Sequence, residues 1–473
     1  MPGFLRQTKV FSPLRRIVPQ SRRALPEILS DINEKIQHRA SLEEVLGAAD
    51  AARTPLSIYF RNLLKQEIAA KALTLKVLNL LLARYHFQSR SESLRSRPFG
   101  LVVDPANGCN LACPGCVHSN HSKEFKLFDW DKGMLSTERF QALLKRYGTY
   151  AVQIMLCNYG EPTANLNTPK FIEMAKGYLI QTVLSTNLTV GRFDADAYVR
   201  SGLDFMYMSI DGATQPVYSE FRRNGSIDLV YDNIKKLVDA KKRLGKRTPI
   251  LRWQFLAFEH NVHEIPLARK RAAELGVDQF TVETPFNVSW DVPDIRVSKT
   301  VPAANYELNL GTEGALSGNF DVQSTKLAQE TIEREFATGW AGAGAAESGQ
   351  DDKTSGHTCS WLYKNMVMDA NGRILPCCAA PKPDVHLVFA NFPDAEDNCF
   401  NSGDYRRARR HFVNGPALKP EGSPADAAPV PHCEKCTWNQ SHTEVGHDQV
   451  ALYLRTSGQG LFDEGTIQTL ADW

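Results

Sequence analysis

Residues 104–116 read DPANGCNLACPGC and follow a short apolar run at 100–103. The cysteines Cys109, Cys113 and Cys116 stand at C-x3-C-x2-C. Three thiolates on one short loop can hold three irons of a [4Fe–4S] cube and leave the fourth iron open to a further ligand. A structural zinc ion takes four ligands, and His118 would complete a C-x3-C-x2-C-x-H loop. Ligand count favours the cluster, with the zinc loop as the alternative.

Outward from this loop, short apolar runs alternate with amphipathic segments. Strands are expected at 100–103, 152–157, 181–185, 205–210, 250–258 and 279–282, with helices at 137–147, 168–178, 226–244 and 265–275. Strand–helix alternation implies parallel strands joined by right-handed crossovers, and about six units make a partial or complete α/β barrel.

The flanks differ in character. Residues 1–23 form a basic arm, and 24–96 carry the three- and four-residue apolar spacing of a helical accessory region. Residues 97–300 are the α/β core. Residues 301–356, rich in Gly, Ala, Ser and Thr, read as a linker or insertion. Residues 357–440 hold six of the ten cysteines, and 441–473 form a tail. A formal net charge of +2 gives no global drive toward nucleic acid or membrane. The longest apolar stretch, 72–82, is too short for a membrane span and contains Lys76. No secretory h-region is evident, so a cytoplasmic location is expected, where clustered cysteines bind metal more often than they pair.

Further polar motifs end the later strands: CNYGEPT at 157–163, LSTNL at 184–188 and MSIDG at 208–212. The arginine pair of YSEFRRNGS at 218–226 follows them. Polar groups at the carboxyl ends of parallel strands sit where such sheets bind ligands. Together with the cysteine loop, in this order, the motifs resemble the radical S-adenosylmethionine (radical SAM) superfamily over residues 97–287.

The resemblance implies a partial (β/α)6 TIM-like barrel, with the N-terminal helical region and a small C-terminal cysteine-rich hairpin domain. It implies a catalytic [4Fe–4S] cluster on Cys109, Cys113 and Cys116, with S-adenosylmethionine on its open iron. Gly160, Glu161 and Pro162 would receive the amino group of S-adenosylmethionine. Ser209 and Asp211 would face its ribose or methionine part, with Asn187 as a further candidate. Arg222, or Arg223 as its alternate, would reach the carboxylate as a planar guanidinium suits it. Two departures stand out. Tyr159 occupies the place of the family's first glycine, and Gly115 replaces a bulky residue near the adenine, leaving only backbone contacts there.

The second group of cysteines begins at Cys359. NMVMDANGRILPCC at 365–378 reads as a hairpin turning at Asn371-Gly372, and it ends on Cys377. CEKC at 433–436 adds Cys433 and Cys436. Two distant cysteine pairs also suit a zinc ribbon. The pattern resembles the SPASM/Twitch module, which implies a second, auxiliary [4Fe–4S] cluster on Cys359, Cys377, Cys433 and Cys436. Cys378 is the alternative to Cys377. Cys157 reads as a small buried hydrophobe and Cys399 as a loop thiol.

The reaction implied is reductive cleavage of S-adenosylmethionine to a 5′-deoxyadenosyl radical, which abstracts a substrate hydrogen. A two-electron oxidation of a sugar, cyclitol or similar small alcohol is expected, with the auxiliary cluster as electron acceptor. The alternatives are a peptide-modifying maturase, a radical epimerase and a non-enzymatic zinc-binding interaction protein. Substrate-side candidates are Tyr159, Gln254, Glu283 and Asn287. The expected partners are a small-molecule or glycan-linked substrate, a peptide as the alternative, and an electron donor such as a flavodoxin or ferredoxin.

Overall fold

In the computed structural model the described residues are 90–116, 118–119, 132–178, 180–283, 285, 295–298, 305–307, 359–378, 388–394, 398–414 and 433, with Lys76, Asn79, Ala83, His86 and Phe87. The basic arm, most of the helical region, the greater part of the expected linker, the tail, Asn287 and Cys436 lie outside them.

Among the described residues ten strands form one open sheet. They are β1 (Gly100–Val103), β2 (Gln153–Leu156), β3 (Gln181–Thr186), β4 (Phe205–Ser209), β5 (Ile250–Leu256), β6 (Gln279–Glu283), β7 (Asn305–Glu307), β8 (Asn365–Met368), β9 (Arg373–Leu375) and β10 (Ala390–Asn391). The order is β10-β9-β8-β1-β2-β3-β4-β5-β6-β7. Strands β8 and β1 through β6 run parallel, whereas β7, β9 and β10 pair antiparallel with their neighbours. The chain is thus an α/β partial barrel, open at both edges.

The crossovers follow from local signals. Helices α1 (Thr137–Leu143), α2 (Thr168–Lys176), α3 (Ala195–Arg200), α4 (Gln215–Phe221), α5 (Ile227–Arg243) and α6 (Ile265–Leu275) connect the strands. Ser136, Asp194 and Ser226 cap α1, α3 and α5 by accepting from backbone N–H groups in the first turn. Helix α6 stops at Gly276, which adopts a left-handed φ of 76°. The helices bury Phe140, Phe171, Val230, Ile234 and Leu237 against the sheet in one continuous core.

Three features differ from the sequence reading. The expected helix 137–147 ends early and passes into a π-helical turn, Leu144–Gly148. Such a turn leaves carbonyls without their usual donors. The fully buried Lys76 donates to the Gly148 carbonyl at 2.6 Å and to that of Ala151. Second, β7 lies inside the expected linker and covers the edge of β6. Three residues are too few for periodicity to reveal them.

The third concerns the C-terminal hairpin, whose place in the sheet the sequence does not reveal. Its strand β8 pairs along the whole of β1, from Gly100↔Asn365 to Val103↔Met368. Strand β1 is buried along its entire length, so its second edge needs a backbone partner that excludes water. Val102, Val367 and Leu375 pack together there. Two further helices, α7 (Trp361–Lys364) and α8 (Gly403–Asn414), flank the hairpin. The buried Arg409 of α8 donates to the carbonyls of Leu362 and Glu92.

Candidate active site

All seven parallel strands end on one edge of the sheet, and the first cysteine loop leaves β1 there. Cys113 is buried, and Cys109 and Cys116 are half-buried. They pack with Leu111, Phe221, Phe258 and Ile295. Burial pushes the Cys109 thiol up to about 11 and that of Cys113 up to about 12. Sulfurs in such surroundings are held by N–H donors: Leu111 N lies 3.4 Å and Asn187 Nδ2 3.5 Å from Cys109 Sγ. Gly115 turns the loop with a φ of 74°. That conformation disfavours a bulky side chain, which accounts for glycine at this position. Among the described residues no three His, Cys, Asp or Glu side chains are placed to hold a single metal ion.

The segment after β2 lies across this loop. Gly160 touches it so closely that a Cβ would fall 1.6 Å from the Ala106 carbonyl oxygen. The Glu161 N–H donates to the Gly108 carbonyl at 2.8 Å. Asp104, which sequence reading missed, holds the segment from below. Its buried carboxylate accepts from the N–H groups of Asn158 (2.7 Å), Tyr159 (3.1 Å) and Gly160 (3.2 Å). Burial pushes Asp104 up to about 7, and these three donors oppose the rise. The available signal was an acid at the carboxyl end of a strand, directly before a proline.

Glu161 is buried. Its Oε1 accepts from Thr163 N–H, Thr163 Oγ1 and Thr186 Oγ1, and Oε2 from Asn187 N–H. Glu161 therefore ties the Pro162–Ala164 turn to the end of β3. Oε2, with a single donor among the described residues, keeps room for another.

Asp211 and Arg222 bind one another, with Arg222 Nε 2.5 Å from Asp211 Oδ2. The second oxygen of Asp211 accepts from Leu256 N–H at 2.7 Å. A buried carboxylate needs such partners, and it has no exposed surface. Arg222 NH1 then lies 3.9 Å from Cys113 Sγ, beside the cysteine loop. Arg223 holds the loop through its carbonyl, which accepts from Ala112 N–H. Ser209 ends β4 opposite Gln254.

On β5 and β6, Gln254 Nε2 donates to Glu283 Oε2 at 2.5 Å, and burial pushes the Glu283 carboxyl up. His118 Nε2 lies 2.9 Å from the Tyr159 carbonyl oxygen. A ring nitrogen donating to a carbonyl carries its proton and does not ligate a metal. The Tyr159 hydroxyl donates to the Cys378 carbonyl at 2.5 Å.

Among the second group, Cys359 precedes α7, and Cys377 and Cys378 follow β9. Burial pushes the Cys378 thiol up to about 12, and Cys359 adds to the rise. Cys399 was expected as a loop thiol. It is fully buried, with its sulfur 3.4 Å from Met366 Sδ.

Residues 103–251 match the family model described as the Radical SAM superfamily. The chain carries a radical SAM domain. The match begins on β1, takes in the cysteine loop and ends on β5. Fe-coproporphyrin III synthase of Methanosarcina barkeri is 27% identical over 35% of this chain and 39% of its own length. A probable GTP 3′,8-cyclase of Methanocaldococcus jannaschii is 24% identical over 37% of this chain and 55% of its own. The chain therefore spans roughly two fifths to just over half of these relatives. A solved structure, Streptococcus suis SuiB bound to precursor peptide SuiA, aligns with a TM-score of 0.40 and 16% identity, over 72% of this chain and 71% of that one. Among the described residues no helix is long and apolar enough to cross a membrane.

Proposed function

We propose that this chain is a radical SAM enzyme with two [4Fe–4S] clusters. The observation that carries this reading is the placement of Cys109, Cys113 and Cys116. They sit on one loop at the carboxyl edge of a parallel sheet, within the matched family domain. The donor set suits the group in its chemistry: three thiols pack with one apolar cluster, and an amide N–H and a guanidinium lie beside two of them. Cys359, Cys377 or Cys378, Cys433 and Cys436 would hold the auxiliary cluster, four ligands for four irons.

When bound, the catalytic cluster and S-adenosylmethionine supply one-electron cleavage and a carbon-centred radical that takes a hydrogen atom from substrate. The chain's own residues position and shield that chemistry. Asp104 and Gly160 fix the segment that lies on the cysteine loop. Asn187 donates toward Cys109, and Arg222 keeps positive charge beside Cys113. Leu111, Phe221, Phe258 and Ile295 exclude water. Glu283, held by Gln254 at the end of β6, would be a candidate to take a proton from a substrate.

For the substrate, a sugar or cyclitol and a peptide are the two classes the reading leaves. Peptide modification, the alternative read from the sequence, is the reading to test first. The general claim is tested by anaerobic reconstitution and reductant-dependent 5′-deoxyadenosine formation. The parent chain is expected to form it, and Cys109→Ala/Cys113→Ala/Cys116→Ala is expected to form none. Equal product from both would overturn the proposal.

A further inference from the structure

Tyr159 departs from the family pattern, and each of its polar groups goes to a different part of the molecule. Its N–H donates to Asp104 at the end of β1. Its carbonyl meets His118, two residues beyond Cys116. Its hydroxyl donates to the carbonyl of Cys378, 219 residues further along the chain. Buried tyrosine hydroxyls ordinarily find some partner. Here the partner is the backbone of the turn that carries the auxiliary cysteines, and the residue's other end is fixed against the catalytic loop. A glycine in this place would leave the two cysteine groups without this bridge.

We propose that Tyr159 is a positioning residue that couples the S-adenosylmethionine-binding loop to the auxiliary cysteine turn at 377–378. The inference rests on the radical SAM reading above and adds a link between its two metal groups. Further contacts keep the strut short. Ala370 N–H donates to Asn107 Oδ1 at 2.8 Å, and Asp104 N–H donates to the Met368 carbonyl at 3.0 Å. These bonds tie the hairpin to the end of β1. A displacement of the 158–160 segment on cofactor binding reaches Cys378 through the phenol.

The test uses the full chain, reconstituted without oxygen, with S-adenosylmethionine absent or saturating. Alkylation by iodoacetamide is followed by mass spectrometry at whichever of Cys377 and Cys378 is not on iron. Cys399, buried elsewhere, is the reference thiol. In the parent, S-adenosylmethionine should change that rate by at least ~5-fold, the lower end of ordinary coupling between sites. In Tyr159→Phe, which removes only the hydroxyl, the change should disappear while iron content and Cys399 protection stay at the parent's level. An unchanged cofactor effect in Tyr159→Phe, or no effect in the parent, overturns the inference. If Tyr159→Phe also exposes Cys399, Tyr159→Trp decides. Its indole N–H restores a donor, so regained coupling supports the inference and lost coupling overturns it. A parent chain that holds no iron contradicts the radical SAM reading itself, before any variant is compared, and the inference falls with it.

Discussion

Single side chains around the cysteine loop act chiefly by fixing backbone. Asp104 holds three consecutive N–H groups in a buried site. Its carboxyl is raised from its ordinary 3.8 to about 7, so the folded chain binds this proton more tightly than the unfolded one. The associated stability is fully present below about pH 4 and is lost as pH rises toward 7. Asp104→Asn should therefore flatten the pH dependence of urea unfolding in that window; an unchanged slope would contradict the assignment. Gly160→Ala places a methyl against the Ala106 carbonyl. The loop must shift, at about 1–3 kcal/mol, and S-adenosylmethionine binding measured by equilibrium dialysis should weaken by ~10-fold or more. Asp211→Ala strands the Arg222 charge in a buried site. Losing one partner of such a pair costs about 3–5 kcal/mol, readable as a lower denaturation midpoint. A loss below ~1 kcal/mol would show the pair to be solvent-screened.

Among the elements, legibility in the sequence tracked the strength of local signals. Helix α6 spans the expected 265–275, because Pro266 opens it and Gly276 closes it. Strands β2 to β6 were foreseen within a few residues, since their apolar runs lie between turn residues. The π turn at 144–148 was not foreseen, because its stabilising donor, Lys76, is distant in sequence. The hairpin was legible from Asn371-Gly372, but its pairing with β1 was not. That pairing joins residues more than 260 apart, and no local pattern encodes it. Within the site, the strand-end motifs singled out Glu161 and Asp211, but nothing local shows that Asp211 would bind Arg222. Gly372 has a φ of 93°, and a Cβ there would fall 2.5 Å from the Phe392 carbonyl oxygen. Gly372→Ala should therefore cost at least about 1–2 kcal/mol. The expected outcome is a lower melting temperature, with iron lost from the auxiliary cysteines first. Retention of all iron at the parent's melting temperature would contradict the role given to the turn.

Among the described residues, one sheet carries both the first cysteine loop and the hairpin that ends on Cys377 and Cys378. The β8–β9 hairpin continues the α/β core, and Tyr159, Asn107 and Asp104 bind across the junction. Such continuity gives a physical reason for the two groups to keep a fixed separation. It also means that damage at one can reach the other through packed backbone. The central claim is that both groups hold iron–sulfur clusters. It is tested most directly by counting iron and zinc per chain after anaerobic reconstitution of the parent and of Cys109→Ala/Cys113→Ala/Cys116→Ala. Two cubic clusters predict about eight irons in the parent and about four in the variant. Zinc in place of iron, or the same iron content in both proteins, would contradict the account.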